Sequence, residues 1–264
     1  MIDLVEKGLA HIKYLRKRRV IAPLEKKLDK DFRQAFQKQK SIFLSRFETL
    51  RSEFQEADIQ TTLDSVFGPA FDETESLMTG SIEEAAEAAI TAAYKHRSVE
   101  AGISYAFNKQ NRKAIAYLKR HAAESVSQIN ETTRDEISRI IVKGQEAGWS
   151  YDKTARAISK KFSDFAIGRP QAHIDSRAHL VAVTEAAEAY EDGSRLVVDE
   201  ITAAGIEMEM RWSNVGDLRV SDGCLENSAA GWIPVTSTFP SGHKHSPRFP
   251  GCRCTILYRR KVPT

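Results

Sequence analysis

Apolar residues recur every three or four positions through much of the first 204 residues. The clearest series lies in the N-terminal region, where lysine and arginine occupy many of the positions in between. Such spacing places apolar side chains on one face of an α-helix. The series consists of Leu24, Leu28, Phe32, Phe36, Phe43, Phe47, Leu50 and Phe54. Because proline suits the first turn of a helix, the pattern predicts a long helix that begins near Pro23.

Further helices are predicted from their end signals. Ser81 begins a capping-box pattern, which predicts a helix that opens at this residue. Residues 111–148 predict two helices with a break near Ile129 and Asn130. Gly148 is placed to end the second of them, since glycine is favoured just after a helix.

Three more helices are predicted before the chain changes character. Ser150 is an imperfect N-cap for the first of them. Residues 175–190 predict the second, which Asp192 and Gly193 are expected to stop. The third covers residues 194–204 and ends at Gly205.

After Gly205 the pattern changes from helical spacing to alternation. Residues 206–214 predict a strand, and residues 255–259 predict a second strand that pairs with the first. The stretch between them is rich in glycine, proline and serine. The sequence therefore predicts a mainly α protein with a small C-terminal α+β unit. The predicted regions are a helical N-terminal arm (1–104), a helical middle region (105–205) and the C-terminal unit (206–264).

Composition narrows the class of protein. The chain has 264 residues, of which 41% are hydrophobic and 28% charged, with a net charge of +3 and three cysteines. This usage favours a soluble protein of a reducing compartment over a disulfide framework, and no apolar run suits a signal peptide or a membrane span. Basic ends flank an acidic stretch over residues 58–102. They are either solvated helix faces or contacts to nucleic acid or an acidic protein surface.

Two of the three cysteines stand one residue apart near the C-terminus. On a strand, Cys252 and Cys254 would face the same side, so both sulfurs could point at one metal ion or one partner. The alternative is that both are small buried apolar residues, which is how free cysteine usually behaves. A unit of about sixty residues with few strands has a thin core and commonly relies on a metal, a disulfide or a docking surface.

Three blocks of the sequence, in this order, resemble the phage Mu protein F-like family of minor head proteins of tailed bacteriophages. The resemblance covers roughly residues 105 to 258. Its most specific part is Pro-x-Cys-Arg-Cys combined with an upstream Asp-x-Arg-Val. The blocks are Asn130–Arg134 followed by EAGWSYDKTARAISKKF, the helix beginning at Arg177 and carrying Thr184 and Glu185, and the segment from Trp212 through DLRV (217–220) and Cys224 to PGCRC (250–254).

The chain departs from the family pattern at two positions. Many members have a cysteine where this chain has Ser221, and a histidine where it has Phe249. If the pattern describes a four-ligand zinc knot, two ligands are absent here. One outcome is a metal-free knot in which Phe249 fills the vacated volume with apolar packing.

The other outcome is a zinc site completed from elsewhere. Zinc sites in proteins use four cysteine or histidine ligands in tetrahedral geometry. The remaining ligands that the resemblance implies, with the nearby histidines able to complete the set, are Cys224, Cys252, Cys254, His243 and His245. No other cofactor is expected.

The other motif residues are interpreted as structural. We expect Arg177 and Glu185 to tie the helical part of the chain to the C-terminal unit, with Thr184 on the same helix. An active site at these three residues is the alternative, although no nucleophile or paired acid stands close to them in the sequence. The residues expected to build the C-terminal unit are Trp212, Asp217, Arg219, Cys224, Cys252, Arg253 and Cys254.

The resemblance implies a non-enzymatic minor head protein of a tailed phage or prophage. Such a protein would join the portal or the capsid interior in few copies and act in head assembly or DNA packaging and delivery. The expected partners are the portal protein, the major capsid protein or both, in an oligomeric context and without a membrane. The expected locations are the interior of the virion head and, during assembly, the host cytoplasm. A partner surface is predicted on the aromatic helix face formed by Phe32, Phe36, Phe43, Phe47 and Phe54.

Two alternatives belong to other functional classes. Mu F-like modules also occur joined to effector domains, so an enzymatic or toxin activity is one of them. The second is sequence-independent DNA binding through Arg259, Arg260 and Lys261. Phosphate contacts of that kind would make binding sensitive to salt.

Overall fold

The fold is mostly helical. The computed structural model of the protein describes residues 2–52, 59–101, 112–163 and 176–261. Within these ranges there are six α-helices and a small three-stranded antiparallel sheet near the C-terminus. This confirms the predicted fold class of a mainly α protein with a small C-terminal α+β unit.

The elements are α1 (Ile2–Phe47), α2 (Ile59–Ala101), α3 (Arg112–Glu146), α4 (Tyr151–Ser163), α5 (Arg177–Ala203), β1 (Met208–Ser213), α6 (Asp222–Ala229), β2 (Ile233–Pro234) and β3 (Thr255–Arg260). A single 3-10 turn, Glu48–Leu50, follows the first helix. Helices α1, α2, α3 and α5 are longer than the sequence predicts, and the strands are short.

Two predicted helix starts are wrong. Helix α1 begins at Ile2 and carries Pro23 in its interior, although an interior proline removes one backbone hydrogen bond. Helix α2 likewise runs through Ser81, whose hydroxyl is 3.0 Å from the Asp31 carboxylate and donates to it. A capping preference depends on a few neighbouring residues. The burial of side chains on both sides of Pro23, those of Ile21 and Leu28, favours a continuous helix more strongly than this local preference favours a helix start.

Two predicted helix breaks are also absent from the described residues. Helix α3 continues through Ile129 and Asn130, where Ile129 is buried and the Asn130 side chain accepts a hydrogen bond from Gln39 at 3.1 Å. Helix α5 continues through Gly193. The predicted stop at Gly148 is confirmed, because this residue has a φ of 61° and the Trp149 amide returns to the Gly144 carbonyl.

The contacts divide the chain into two compact units that differ from the three predicted regions. The first unit comprises Met1–Lys27, Glu84–Asn111 and Leu180–Thr264. The second comprises Leu28–Glu83 and Arg112–His179. Each unit therefore draws on segments that are distant in sequence, which local composition does not reveal.

The aromatic series of α1 lies in the core of the second unit. The Phe43 ring contacts the rings of Phe67 and Phe162, with centroids 4.8 and 5.8 Å away, and the Phe47 ring stacks on Tyr151. Phe32 and Phe36 are also buried, and Phe54 lies outside the described residues. The prediction of a partner surface on these rings is therefore corrected for the four described phenylalanines, because residues of their own unit cover them.

The sheet lies in the first unit, with strand order β2-β1-β3. Strand β1 pairs antiparallel with β3 along its whole length, as predicted for the two ends of the C-terminal region. Buried Met208, Met210 and Trp212 alternate with partly exposed residues along β1. The Trp212 ring packs edge-on against Phe239 with centroids 5.2 Å apart.

Gly193 marks a close approach of two helices in the first unit. A Cβ added at this position would lie 2.8 Å from the Ile90 Cα, a backbone atom of α2 that cannot move aside. We expect Gly193→Ala to lower the free energy of unfolding by about 1–3 kcal/mol, measured by urea denaturation. Gly80→Ala is the control, since nothing lies within 4 Å of a Cβ there. It should raise stability by about 0.5–1 kcal/mol, and equal effects at both sites would contradict the close approach.

No helix in the described part of the chain is long and apolar enough to cross a membrane.

Candidate functional site

The three cysteines converge at one buried point of the first unit. Cys224 lies on α6, while Cys252 and Cys254 lie in the segment just before β3. Their sulfurs all lie within 4.8 Å of one another, and the Cys224 and Cys252 sulfurs are 3.9 Å apart. All three side chains are at most 4% exposed, and no disulfide joins them. The predicted convergence of Cys252 and Cys254 is seen, and Cys224 joins them from 28 residues earlier in the chain.

Backbone contacts fix the two segments that carry the sulfurs. The Cys224 amide donates to the Ser221 carbonyl at 2.9 Å, in the first turn of α6. The Cys254 carbonyl accepts hydrogen bonds from Lys17 at 3.1 Å and from the Ser246 hydroxyl at 3.0 Å. The backbone of the Cys254 segment is therefore held both by a local contact and by Lys17 of α1, which is 237 residues away in the sequence.

Arg248 is the charged neighbour of the cysteine cluster. Its guanidinium donates to the Ser221 hydroxyl at 3.1 Å. It also packs against Gly223, where an added Cβ would come within 2.9 Å of the Arg248 Cζ. Ser221 stands where the family pattern of the resemblance has a cysteine. Its hydroxyl accepts this hydrogen bond from the Arg248 guanidinium.

The thiols influence one another's protonation. Hydrogen bonds from Cys252 and Cys254, with smaller contributions from Ser221 and Arg248, lower the pKa of Cys224. The hydrogen bond to Cys224 raises the pKa of Cys252. A hydrogen bond to Cys224 likewise raises the pKa of Cys254. A thiolate in this cluster would be a ligand for thiophilic ions.

The two candidate histidines do not join the sulfurs. His243 Nδ1 lies 3.0 Å from the hydroxyl and from the carbonyl of Ser241. His245 Nε2 lies 3.1 Å from the Asp192 carboxylate. Among the described residues, the group whose ligand atoms meet contains the three cysteines and no histidine. The expectation that His243 or His245 completes a zinc site is therefore corrected.

Asp217 and Arg253 form the second motif contact. The Arg253 guanidinium binds both carboxylate oxygens of Asp217, at 2.7 and 2.9 Å. The Arg219 amide donates to the same carboxylate at 3.0 Å, while the Arg219 side chain is exposed. The ion pair between Asp217 and Arg253 holds the pKa of Asp217 below its usual value. The Asp-x-Arg-Val and Cys-Arg-Cys blocks of the resemblance are thus joined by a bidentate ion pair.

Thr184 contacts the C-terminal segment. The Gly251 amide donates to the Thr184 hydroxyl at 3.0 Å, inside the first unit. Arg177 belongs to the second unit, where it donates to the Thr133 hydroxyl and the Ile129 carbonyl. Its expected tie to the C-terminal unit stays a prediction. Glu185 is partly buried on α5, and its proposed tie stays a prediction.

The Arg177 contact joins two blocks of the resemblance that the sequence leaves separate. Thr133 belongs to the Asn-Glu-Thr-Thr-Arg block, and the Arg177 guanidinium also lies over the Phe36 ring at 4.9 Å. Burial lowers the pKa of Arg177 to about 10. These contacts hold buried Arg177 within the second unit, where two of its donors bind the Thr133 hydroxyl and a backbone carbonyl.

A buried ion pair that the sequence did not suggest lies beside the cysteines. Lys17 Nζ is 2.7 Å from Glu191 Oε1, and both side chains are at most 3% exposed. The Thr255 hydroxyl donates to the same carboxylate oxygen at 2.6 Å. Charged residues inside helices usually mark a solvated face, so no pattern in the sequence identified this pair.

A second buried charge cluster lies nearby in the first unit. Arg97 donates to Glu100 at 2.7 Å and to the Ile256 carbonyl of β3 at 3.3 Å, and it faces the Tyr258 ring. Burial alone would raise the pKa of Glu100, but Arg97 and Lys13 together hold it below its usual value.

His96 gives this cluster a dependence on pH. Its Nδ1 is 2.8 Å from the Tyr190 hydroxyl, and burial together with Arg97, Arg16 and Lys95 lowers its pKa, against the pull of Glu100. Below about pH 6.5 the unfolded chain therefore takes up a proton that folded His96 resists, so stability falls as the pH drops through this region.

We expect His96→Gln to reduce this loss of stability. Thermal unfolding of the wild type and the variant, followed by circular dichroism at about pH 7.5 and 5.5, measures the difference. His11→Gln is the control, since His11 is exposed in the same unit. An unchanged pH dependence in His96→Gln would show that this histidine does not carry the effect.

Two of the three predicted DNA-contacting residues have acidic partners. Arg259 Nε lies 2.8 Å from the Glu209 carboxylate, and its guanidinium lies 4.2 Å from the centre of the Trp232 ring. Lys261 Nζ lies 2.8 Å from the Glu207 carboxylate. Arg260 is exposed. Much of the positive charge expected at this end of the chain is therefore balanced locally.

Comparison of the chain with models of known protein families found no match, and no curated protein or solved structure matched it either. The family resemblance therefore rests on the motif residues alone, and its functional implications are a proposal.

Proposed function

We propose that the protein is a structural minor head protein of a tailed phage or prophage, present in few copies and associated with the portal or the capsid interior. The observation that supports this proposal is that the motif residues make intramolecular contacts which stabilise the fold. Asp217 binds Arg253 through two oxygens, Thr184 accepts a hydrogen bond from the Gly251 amide, and Trp212 is buried. Motif residues whose side chains stabilise the fold support a structural role for the protein.

The helical part supports the same interpretation. Arg177 donates a hydrogen bond to Thr133 in the second unit, and Thr184 accepts one from the Gly251 amide in the first. Asp217 is engaged with Arg253. We infer that the motif serves shape, and that partners in the head recognise surfaces which this shape presents.

Reconstitution of heads tests the proposal. The chain is expressed with the major capsid, scaffolding and portal proteins of the same genome, and the assembled shells are separated by gradient sedimentation. We expect the chain to co-sediment with portal-containing shells and to be depleted from shells assembled without the portal. A folded chain that is found in neither kind of shell would overturn the proposal.

A pair of charge-matched variants tests the role of the motif. Arg253→Met removes the bond to Asp217, whereas Lys244→Met removes the same charge from an exposed position of the same segment. We expect incorporation to fall for Arg253→Met and to stay at the wild-type level for Lys244→Met. Circular dichroism confirms that both variants are folded, and equal incorporation of the two would contradict a role for the motif contact.

Sequence-independent DNA binding is a second candidate, supported by a basic cleft. The cleft has a volume of about 270 Å³ and lies in the first unit. Its lining residues are Arg16, Arg19, Val20, Lys95, His96 and Val99. Three of these six side chains are arginine or lysine, which suits the phosphates of a nucleic-acid backbone.

We expect Arg16→Gln/Arg19→Gln to weaken binding to a labelled DNA duplex of random sequence. Removing two phosphate contacts should reduce the slope of log K against log salt by about 2, measured by fluorescence anisotropy. Arg259→Gln/Arg260→Gln is the comparison, and it should have the smaller effect because Glu209 already neutralises Arg259. No binding by the wild type at low salt would eliminate this candidate.

A further inference from the structure

We propose that Cys224, Cys252 and Cys254 bind one zinc ion through three thiolates, without a histidine ligand. The inference concerns the C-terminal segment of the first unit and is independent of the proposed role in the phage head. It differs from the site expected from the sequence, in which His243 or His245 supplies the fourth ligand.

The distances between the sulfurs suit a shared ion. Two sulfurs that bind zinc at 2.3 Å in tetrahedral geometry lie about 3.8 Å apart. The Cys224 and Cys252 sulfurs are 3.9 Å apart, and the Cys254 sulfur lies within 4.8 Å of both. The longer separations exceed the tetrahedral value by at most about 1 Å, and a sulfur moves farther than that when χ1 changes between staggered positions.

Burial and charge favour zinc over bare thiols. The ligand atoms are three thiols at a buried point, and thiolates select thiophilic ions such as Zn²⁺ and Cu⁺. Three thiolates and Zn²⁺ carry a net charge of −1, which the Arg248 guanidinium beside Cys224 offsets. With Cu⁺ the net charge would be −2, so the single arginine balances the zinc form better.

The ligand count leaves one position of the tetrahedron for water or another small ligand. No fourth cysteine, histidine or carboxylate joins the cluster among the described residues. Ser221, which stands at the position of a family cysteine, accepts a hydrogen bond from Arg248. His245 is directed at Asp192 and His243 at Ser241. We therefore expect a site with three protein ligands.

The surrounding fold gives a physical reason for a metal. Between β1 and β3 the chain has only one helix of eight residues and a two-residue strand. Segments with so little regular structure have thin cores, and a bound ion would link α6 to the segment before β3. Zinc binding should therefore stabilise this part of the first unit.

The test is metal binding by the full chain, purified reduced and treated with a chelator. Zinc is added back, unbound metal is removed, and the zinc content is measured by mass spectrometry. We expect one zinc per chain in the wild type and loss of stoichiometric binding in Cys252→Ser. The double variant His243→Ala/His245→Ala is the matched control and should keep one zinc per chain. Loss of zinc in this double variant, or no zinc in the reduced wild type, would overturn the proposal.

Two further measurements on the wild type do not depend on the folding of any variant. Cobalt added in place of zinc should give the intense thiolate charge-transfer absorption of a tetrahedral site with three sulfur ligands. Zinc should also protect all three cysteines from alkylation in the folded chain. If cuprous ion binds and zinc does not, or if air oxidation forms a Cys224–Cys252 disulfide while zinc gives no protection, the cluster is not a zinc site.

Discussion

A Glu191→Ala variant is expected to lose about 3–5 kcal/mol of unfolding free energy, measured by urea denaturation at neutral pH. The variant leaves the Lys17 ammonium group buried at 3% exposure with the Cys254 carbonyl as its remaining hydrogen-bond acceptor among the described contacts. The Thr255 hydroxyl loses its acceptor at the same time. An uncompensated buried charge costs far more than the pair contributes when intact.

Two further variants separate this mechanism from a general effect of mutation. Glu226→Ala removes an exposed carboxylate from the same unit and should change stability by less than about 0.5 kcal/mol. Lys17→Met/Glu191→Leu removes both charges and should be more stable than Glu191→Ala, because no buried charge remains. If Glu191→Ala is as stable as the wild type, Lys17 must reach solvent when its partner is absent.

Phe43→Ala is expected to lower the unfolding free energy of the second unit by about 3–5 kcal/mol. The Phe43 ring is fully buried and lies against Phe47, Phe67 and Phe162, which come from three different helices. Its removal leaves a cavity where these helices meet. Tryptophan fluorescence and circular dichroism during urea denaturation measure the change, since separate transitions of the two units would show which unit is affected.

The control for this variant is Gln37→Ala, an exposed position on the same helix. It should alter stability by less than about 0.5 kcal/mol. Phe43→Leu should fall between the two, because it keeps most of the apolar volume. If Phe43→Ala were as stable as Gln37→Ala, the ring would not belong to the core, and a partner surface on α1 would again be the better interpretation.

The sequence predicted elements well wherever the decisive signal was periodic. The strand at Met208–Ser213 and its partner at Thr255–Arg260 follow from alternation, and the stop at Gly148 follows from a residue that tolerates positive φ. The predicted breaks at Asn130 and Gly193 failed, because each was inferred from two adjacent residues without a change of period. Gln39 hydrogen-bonds the Asn130 side chain, and Gly193 packs closely against Ile90. Such contacts offset the low helix preference of asparagine and glycine, and they cannot be seen in a short stretch of sequence.

The candidate site was predicted in part, for a comparable reason. Cys252 and Cys254 bring their sulfurs together from an irregular segment before β3 and not from the strand on which the spacing argument depended. The convergence of Cys224 and the divergence of His243 and His245 depend on how a long irregular segment folds. Hydrogen bonds to Ser241 and Asp192 decide where the imidazoles point, and no spacing rule describes such contacts.

The sequence by itself determined the class of fold, the pairing of β1 with β3 and the presence of apolar faces on the helices, because these depend on periods of two and 3.6 residues. Only the tertiary structure decided what covers each face. It placed the phenylalanines of α1 in a core, buried Lys17 against Glu191 and gathered three thiols at one point. Those outcomes depend on contacts between residues far apart in the chain. The burial, charge pairing and packing of each side chain depend on these contacts, and the local sequence does not specify them.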